Sequence, residues 1–312
     1  MKSILNRIKE RRTGRIIGLE VAVLMAAAAF FLPGGQDLRW YYLPFAEGCL
    51  SCGFVPYFFQ PLLAPLGLIP GEVVWPIWTL VSAGTFLWLC TKTGVNPAVL
   101  FLTFPFFGQF WLGQVDVVLC FGLYLAFFSK KAVLRGAGYT LLLIKPQVSI
   151  MLVVYLLVKE NRKELLKVLS IPAVVIVSSL LVFGLDWPVV WVRQAQESIP
   201  GHVWKLATEF FWPWGLALLP LPFFFRERKD GAMVSLLVSS LALPFFSVYS
   251  YVVFLLLEAP WWVLPVSYVW MLGYPWLGID SMKFAWVLPL ALLVWKLSQR
   301  FERSQPIPRK LP

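Results

Sequence analysis

Apolar runs follow one another along almost the whole of this chain, separated only by short connections that carry most of the lysines and arginines. An apolar run of about 20 residues crosses a bilayer as a helix, because lipid offers no water to backbone N–H and C=O groups and the segment must satisfy them itself. Charged residues are 14% of the 312 and hydrophobic residues 59%, against about 25% and 45–50% in soluble domains. The expected fold is all-α, a polytopic transmembrane helical bundle forming a single domain over residues 1–312. No stretch is left for a separate soluble domain. A net charge of +11 in a soluble protein suggests nucleic acid. Here the basic residues sit in the connections and both tails, where orientation in a membrane demands them, so membrane lipids and not nucleic acid are the expected partner.

Charge also sets the expected topology. Met1 to Arg15 carries Lys2, Arg7, Lys9, Arg11, Arg12 and Arg15 ahead of an apolar run from Ile16 to Leu32. Glu20 interrupts that run and no small-x-small cleavage site follows it, which predicts an uncleaved signal anchor with a cytoplasmic N-terminus. Pro33 to Gly71 is then an outer loop. Glu72 to Cys90 returns inward to Lys92, Asn96 to Trp111 runs outward to the Gly108–Asp116 turn, and Val117 to Phe128 comes back to Ser129-Lys130-Lys131. Each assignment keeps the basic residues inside.

Two further runs resist reading as single spans. Lys145-Pro146 lies in the middle of Ala137 to Val158. Proline disrupts a helix interior, and a lysine at the bilayer centre costs about 2.5–3.5 kcal/mol on insertion scales. Dividing the run there gives two short helices meeting at an apex below the outer surface. They are too short for a ~30 Å core unless that apex opens into a protein-lined, hydrated cavity. Met233 to Leu257 is interrupted likewise by Pro244 to Tyr251, and reading it as a hairpin keeps Arg226 to Lys229 and the tail Lys296 to Lys310 both inside. The sum is about 10–12 membrane segments, several short or broken, in a multi-pass protein of the cell membrane with both termini cytoplasmic.

On this topology Asp37, Arg39, Gln109, Gln114, Asp116, Lys145, His202, Tyr249 and Asp280 share the outer face. Polar residues forced out of hydrocarbon would gather there too, so each has a plain reading beside the functional one. Asp37 either marks where the first helix meets water or is a catalytic carboxylate. Lys145 needs an anionic partner or a substrate phosphate. Gly113-Gln114-Val115-Asp116 reads first as turn chemistry. His202, the only histidine, titrates near neutrality or is simply solvated. Trp187, Trp191, Trp204, Trp212 and Trp214 read as interfacial-belt residues, with sugar stacking as the alternative. Cys49-Leu-Ser-Cys52 predicts a local disulfide or two free thiols ahead of any metal or redox site. No nucleotide-binding loop or hydrolase motif is present, no cofactor is expected, and no second cysteine pair or histidine cluster completes a metal site.

The order of these features resembles the GT-C superfamily of integral-membrane glycosyltransferases, and within it the bacterial polyprenol-phosphate-mannose-dependent mannosyltransferases. The matching pieces are Asp37 with Tyr41 and Tyr42, Pro56-Tyr57 to Pro65-Leu66, Gly113 to Asp116, Gly136 to Pro146, and Pro244 to Tyr251. The chain departs from the resembling enzymes at Asp116, where they tend to carry asparagine, and at Ser250, where they carry aspartate; it is also short for the class. The resemblance implies inverting transfer of a hexose, mannose by the narrower likeness, from a polyprenyl-phosphate sugar to a lipid-linked or glycan acceptor at the outer face. It implies Asp37 as general base. Lys145, Arg39 and His202 would bind the donor phosphate, and Gln109, Gln114, Asp116 and Tyr249 the sugar or acceptor. A transporter or flippase component, or a non-catalytic scaffold in a membrane glycan pathway, is the competing reading. Against the transporter stands the gathering of polar residues at one face, with no matching set and no inverted repeat at the other. A partner subunit in the membrane would complete a chain this short.

Overall fold

The computed structural model describes residues 2–198, 211, 213–243 and 246–304, and among them the protein is all-α with no strand. The longer helices are α1 (Lys2–Ala28), α2 (Gly71–Thr93), α3 (Pro97–Phe101), α4 (Phe104–Leu112), α5 (Asp116–Phe128), α6 (Ala132–Leu142), α7 (Pro146–Val158), α8 (Leu165–Phe183), α9 (Trp187–Ser198), α10 (Arg228–Ala242) and α11 (Val287–Ser304). Three stretches are long and apolar enough to cross a membrane by length and composition: Gly71–Thr93, Leu165–Phe183 and Val263–Glu302. The protein is a helical membrane protein.

Proline and its neighbours decide where the helices stop. The run expected as one span from Asn96 to Trp111 is two helices, because Pro105 has no N–H to donate and its ring clashes with the carbonyl four residues back, so it is tolerated only in the first turn of a new helix. Thr103, before the new start, has extended backbone at ψ 149°. Asn96 caps the preceding piece, its Oδ1 accepting from the Ala98 N–H at 3.0 Å with Pro97 in the first turn. Lys145 is likewise held out of helix at φ −125°, ψ 78° by Pro146. The first helix extends beyond the apolar run and takes in the basic N-terminal residues.

The two interrupted runs are hairpins, and buried ions show it. Arg135, at the start of α6, donates to Glu160 Oε1 at 2.9 Å and pairs with Glu164, both just beyond the end of α7. The same guanidinium donates to the carbonyls of Ser129 and Lys130 at the end of α5. One arginine therefore ties three helix ends together, so the chain between 136 and 159 leaves and returns to one place. Lys296 does the same for the second run: its Nζ reaches Asp230 Oδ1 at 2.8 Å and Glu258 Oε2 at 2.5 Å, the two ends of the 231–257 segment. These clusters are the charged set at the opposite end of the molecule that the sequence did not reveal. They are internal ion pairs that fasten hairpins.

Helices α6 and α7, of 11 and 13 residues, reach roughly 17–20 Å at 1.5 Å per residue, short of the ~30 Å of a bilayer core. At their Lys145 apex Ser149 on α7 donates its hydroxyl to the Leu142 carbonyl that the broken helix leaves open. Close helix approach brings α5 against α6, where a Cβ on Gly138 would lie 2.4 Å from the Ala126 nitrogen. Elsewhere, Cys49 and Cys52 form a disulfide, while Cys90 and Cys120 are buried free thiols. Trp187 departs from the belt reading. It is buried and stacks on Tyr57 with ring centroids 5.5 Å apart, whereas Trp214 is 81% exposed. Trp204 and Trp212 lie outside the described residues.

Candidate active site

Asp37 is set by a glycine turn pressed on a tryptophan. After α1 the chain passes Pro33 and reaches Gly35, whose φ of +74° is open to glycine at little cost and whose N–H donates to the Trp111 carbonyl at 2.8 Å. A Cβ on Gly35 would sit 2.5 Å from the Trp75 ring. Trp75 in turn donates its indole N–H to the Phe110 carbonyl at 3.1 Å, which fixes α2 to the end of α4. Asp37 then opens a π-helical turn, Leu38–Tyr42. Opposite it, Gly113 at φ +69° ends α4 and lets the chain approach Leu38; a Cβ there would be 2.7 Å from that of Leu38. The residue delivered beside Asp37 is Gln114.

The Gln114 amide joins an acid to a base. Its Nε2 donates to Asp37 Oδ2. Its Oε1 accepts from Lys145 Nζ at 2.8 Å and from the Tyr42 hydroxyl at 2.9 Å. Reversing the amide would turn its NH₂ toward an ammonium, so the network fixes the orientation. Lys145, 6% exposed, also reaches Asp116 Oδ1 at 2.8 Å and lies 5.0 Å from the centre of the Tyr249 ring. The other oxygen of Asp116 accepts from the Ser250 hydroxyl at 3.0 Å. Asp116 is fully buried in the first turn of α5, where the helix dipole favours an anion.

Four separated sequence segments thus converge: the turn after α1, the α4–α5 turn, and the apices of the two hairpins. Burial pushes the Asp37 carboxyl from 3.8 up to about 6; nearby Lys145 opposes this, nearby Asp116 adds to it, and the Gln114 hydrogen bond opposes it. A carboxylate held there is a stronger base than an exposed one.

Other expected site residues are placed differently. Asp116 was expected to orient sugar hydroxyls, but its carboxylate is taken up by Lys145 and Ser250. Gln109 makes no hydrogen bond to Asp37, Asp116 or Lys145 among the described residues; it is 3% exposed and its Nε2 donates to the Gln114 backbone carbonyl at 2.5 Å. Arg39 is half-buried, with an Nε that has no hydrogen-bond partner among the described residues and no ion pair to Asp37. Asp280 is exposed in a 3-10 stretch, Gly278–Trp286. His202 lies outside the described residues. Sequence reasoning missed Trp78, which donates to the Gln114 carbonyl at 3.1 Å; nothing in the sequence separates it from a lipid-facing tryptophan.

Residues 56–209, close to half of the chain, match the family profile described as Glycosyltransferase family 87. The protein is a membrane glycosyltransferase. No curated protein and no solved structure matches it. The matched span of the glycosyltransferase holds Gln109, Gln114, Asp116 and Lys145, whereas Asp37, Tyr249 and Ser250 lie outside it and reach the site only through the fold. The two departures noted in the sequence also meet here. Ser250 and Asp116 are hydrogen-bond partners, so a single carboxylate serves that contact beside Lys145.

Proposed function

We propose that this glycosyltransferase moves a hexose, mannose by the sequence resemblance, from a polyprenyl-phosphate sugar to a lipid-linked or glycan acceptor at the outer membrane face. The observation that carries this reading is the Gln114 amide, which holds a carboxylate and a buried ammonium one side chain apart at the end of two re-entrant hairpins. Glycosyl transfer from a lipid phosphate needs both charges. The acceptor hydroxyl attacks the anomeric carbon as the carbon–oxygen bond to the phosphate breaks, inverting the centre. Asp37 takes the hydroxyl proton, a contribution typically worth ~10²–10⁴-fold. The departing phosphate keeps the bond's electron pair and is met by cations in a low-dielectric site.

Lys145 is the first of these cations. Asp116 already neutralises it, so an arriving phosphate shares or displaces that carboxylate. Arg39, whose Nε has no hydrogen-bond partner among the described residues, supplies further positive charge, and His202 is assigned to the same role. Gln114 and Tyr249 are assigned to the sugar, and Gln109, which donates to the Gln114 carbonyl, to a role through Gln114. The N- and C-termini are assigned to the cytoplasm. A non-catalytic scaffold would have no use for a carboxylate held as a strong base.

The test is transfer by the purified protein in lipid, supplied in turn with polyprenyl-phosphate mannose, polyprenyl-phosphate glucose and a nucleotide sugar. Glycosylated lipid from a polyprenyl-phosphate donor is the expected result. Transfer from the nucleotide sugar alone would overturn the donor assignment.

A further inference from the structure

A cavity lies between α1, α2 and α4, beside the backbone of Gln114. Its walls are mostly apolar, Phe86 and Phe106 among them, and no charged residue lines it. Three buried polar groups do: Thr79 and Ser82, three residues apart on one face of α2, and Gln109 on α4. Each is more than nine-tenths buried. The Thr79 and Ser82 hydroxyls and the Gln109 Oε1 have no hydrogen-bond partner among the described residues. The hydroxyls are unusual for this helix, since Thr85, Thr91 and Thr93 all donate to carbonyls of their own preceding turn. Leaving a buried polar group unpaired is costly, because its lost hydration is not replaced, and here three such groups face one space. The room left for the centre of a water is about 20 Å³, enough for one water by the ~10–15 Å³ that each needs on that measure.

Two cavity-lining residues grip Gln114. Trp78 and Gln109 both donate to its carbonyl oxygen, at 3.1 and 2.5 Å. If the Gln109 amide reversed, its oxygen would face that carbonyl, acceptor against acceptor. A donor in the cavity, bonded to Gln109 Oε1, prevents the reversal.

We infer that this cavity is a water-binding site, in which Thr79 and Ser82 hold water against Gln109 and so act as positioning residues for Gln114 and, through it, for Asp37. The catalytic consequence rests on Asp37 being the base; the water site does not. Loosening Gln114 removes a hydrogen bond to the ionised carboxylate, which moves the Asp37 titration upward. The other groups facing Asp37 are Lys145 from the first hairpin apex, Asp116 from α5, Tyr249 from the second apex, and Tyr41 and Tyr42 from its own turn; none is altered by changes on α2.

The experiment compares the full-length protein in lipid with Thr79→Val/Ser82→Ala, which keeps shape and removes both hydroxyls, and with Thr79→Ser, which keeps a hydroxyl. The Asp37 carboxyl is titrated by infrared difference spectroscopy, its band assigned by loss in Asp37→Asn. The double variant is expected to show a midpoint raised by roughly half a pH unit or more, a Tm lower by a few degrees, and a reduced kcat with unchanged donor KM. Thr79→Ser is expected to stay close to the parent. A dry cavity gives the opposite stability result, because replacing unpaired hydroxyls with apolar groups of like shape stabilises. A raised or unchanged Tm, or an unmoved midpoint, overturns the inference. Near-normal turnover in Asp37→Asn would overturn the assignment of the base and leave the Tm and infrared results to decide the water site by themselves.

Discussion

Gln114 faces an anion with its nitrogen and a cation with its oxygen, and it keeps Asp37 and Lys145 from pairing directly with each other. That separation leaves Asp37 free to act as a base, and burial raises its pKa to about 6. Asp37→Asn is expected to lower transfer by about 10²-fold or more while donor binding persists. In the parent, only ionised Asp37 accepts a proton, so kcat is expected to rise through pH about 6 and level off above it. A profile flat down to pH 5 would sink the assignment. Lys145 needs a paired design. Lys145→Met strands the fully buried Asp116 charge, and breaking a buried pair costs about 3–5 kcal/mol, so the single variant should misfold or melt early. Lys145→Met/Asp116→Asn removes both charges. It is expected to regain thermal stability yet bind a polyprenyl-phosphate sugar weakly, and wild-type affinity in that variant would make the lysine structural.

At the scale of elements, a helix hairpin too short to cross the bilayer must close on itself at both ends. Arg135 and Lys296 close the open ends of the two hairpins, and the Asp116 contacts gather their apices. Packing between α5 and α6 depends on backbones that nearly touch, which small residues allow. Gly138→Ala is expected to lose about 1–3 kcal/mol through overpacking, since backbone cannot yield as a side chain can. Gly84→Ala on α2 meets nothing within 4 Å and is expected to be neutral or stabilising. Thermal melts in one detergent check both, and equal effects would show that helix propensity outweighs packing here.

For the whole molecule, the ion pairs give the topology something to be tested against. The ends of α5, α6 and α7 share one guanidinium, so they lie on one side of the membrane, and the expected side is the cytoplasm. Single cysteines placed at His202 and Arg226 are expected to label from outside and inside respectively with an impermeant maleimide. Equal labelling of both in intact cells would overturn the orientation. The Cys49–Cys52 disulfide is in keeping with an oxidising outer side for the loop after α1.

The all-α membrane class, both broken runs and the position of the Lys145 apex were legible in the sequence, because they follow from one-dimensional facts: apolar length, the geometry of proline and the cost of a charge in lipid. Asp37 and Lys145 could be singled out for the same reason, each being a charge where charge is expensive. Their partners could not. Whether Asp116 faces a sugar or a lysine, whether Gln109 looks into the site or away from it, and which tryptophan holds a carbonyl depend on how α2, α4 and two hairpin apices rotate about their own axes. The sequence also hid the ion pairs at the hairpins' open ends, since Arg135 and Lys296 looked like members of basic connections. Only tertiary packing decided these matters, because a side chain's partner is set by contacts across as many as 166 residues of sequence, and no local pattern encodes them.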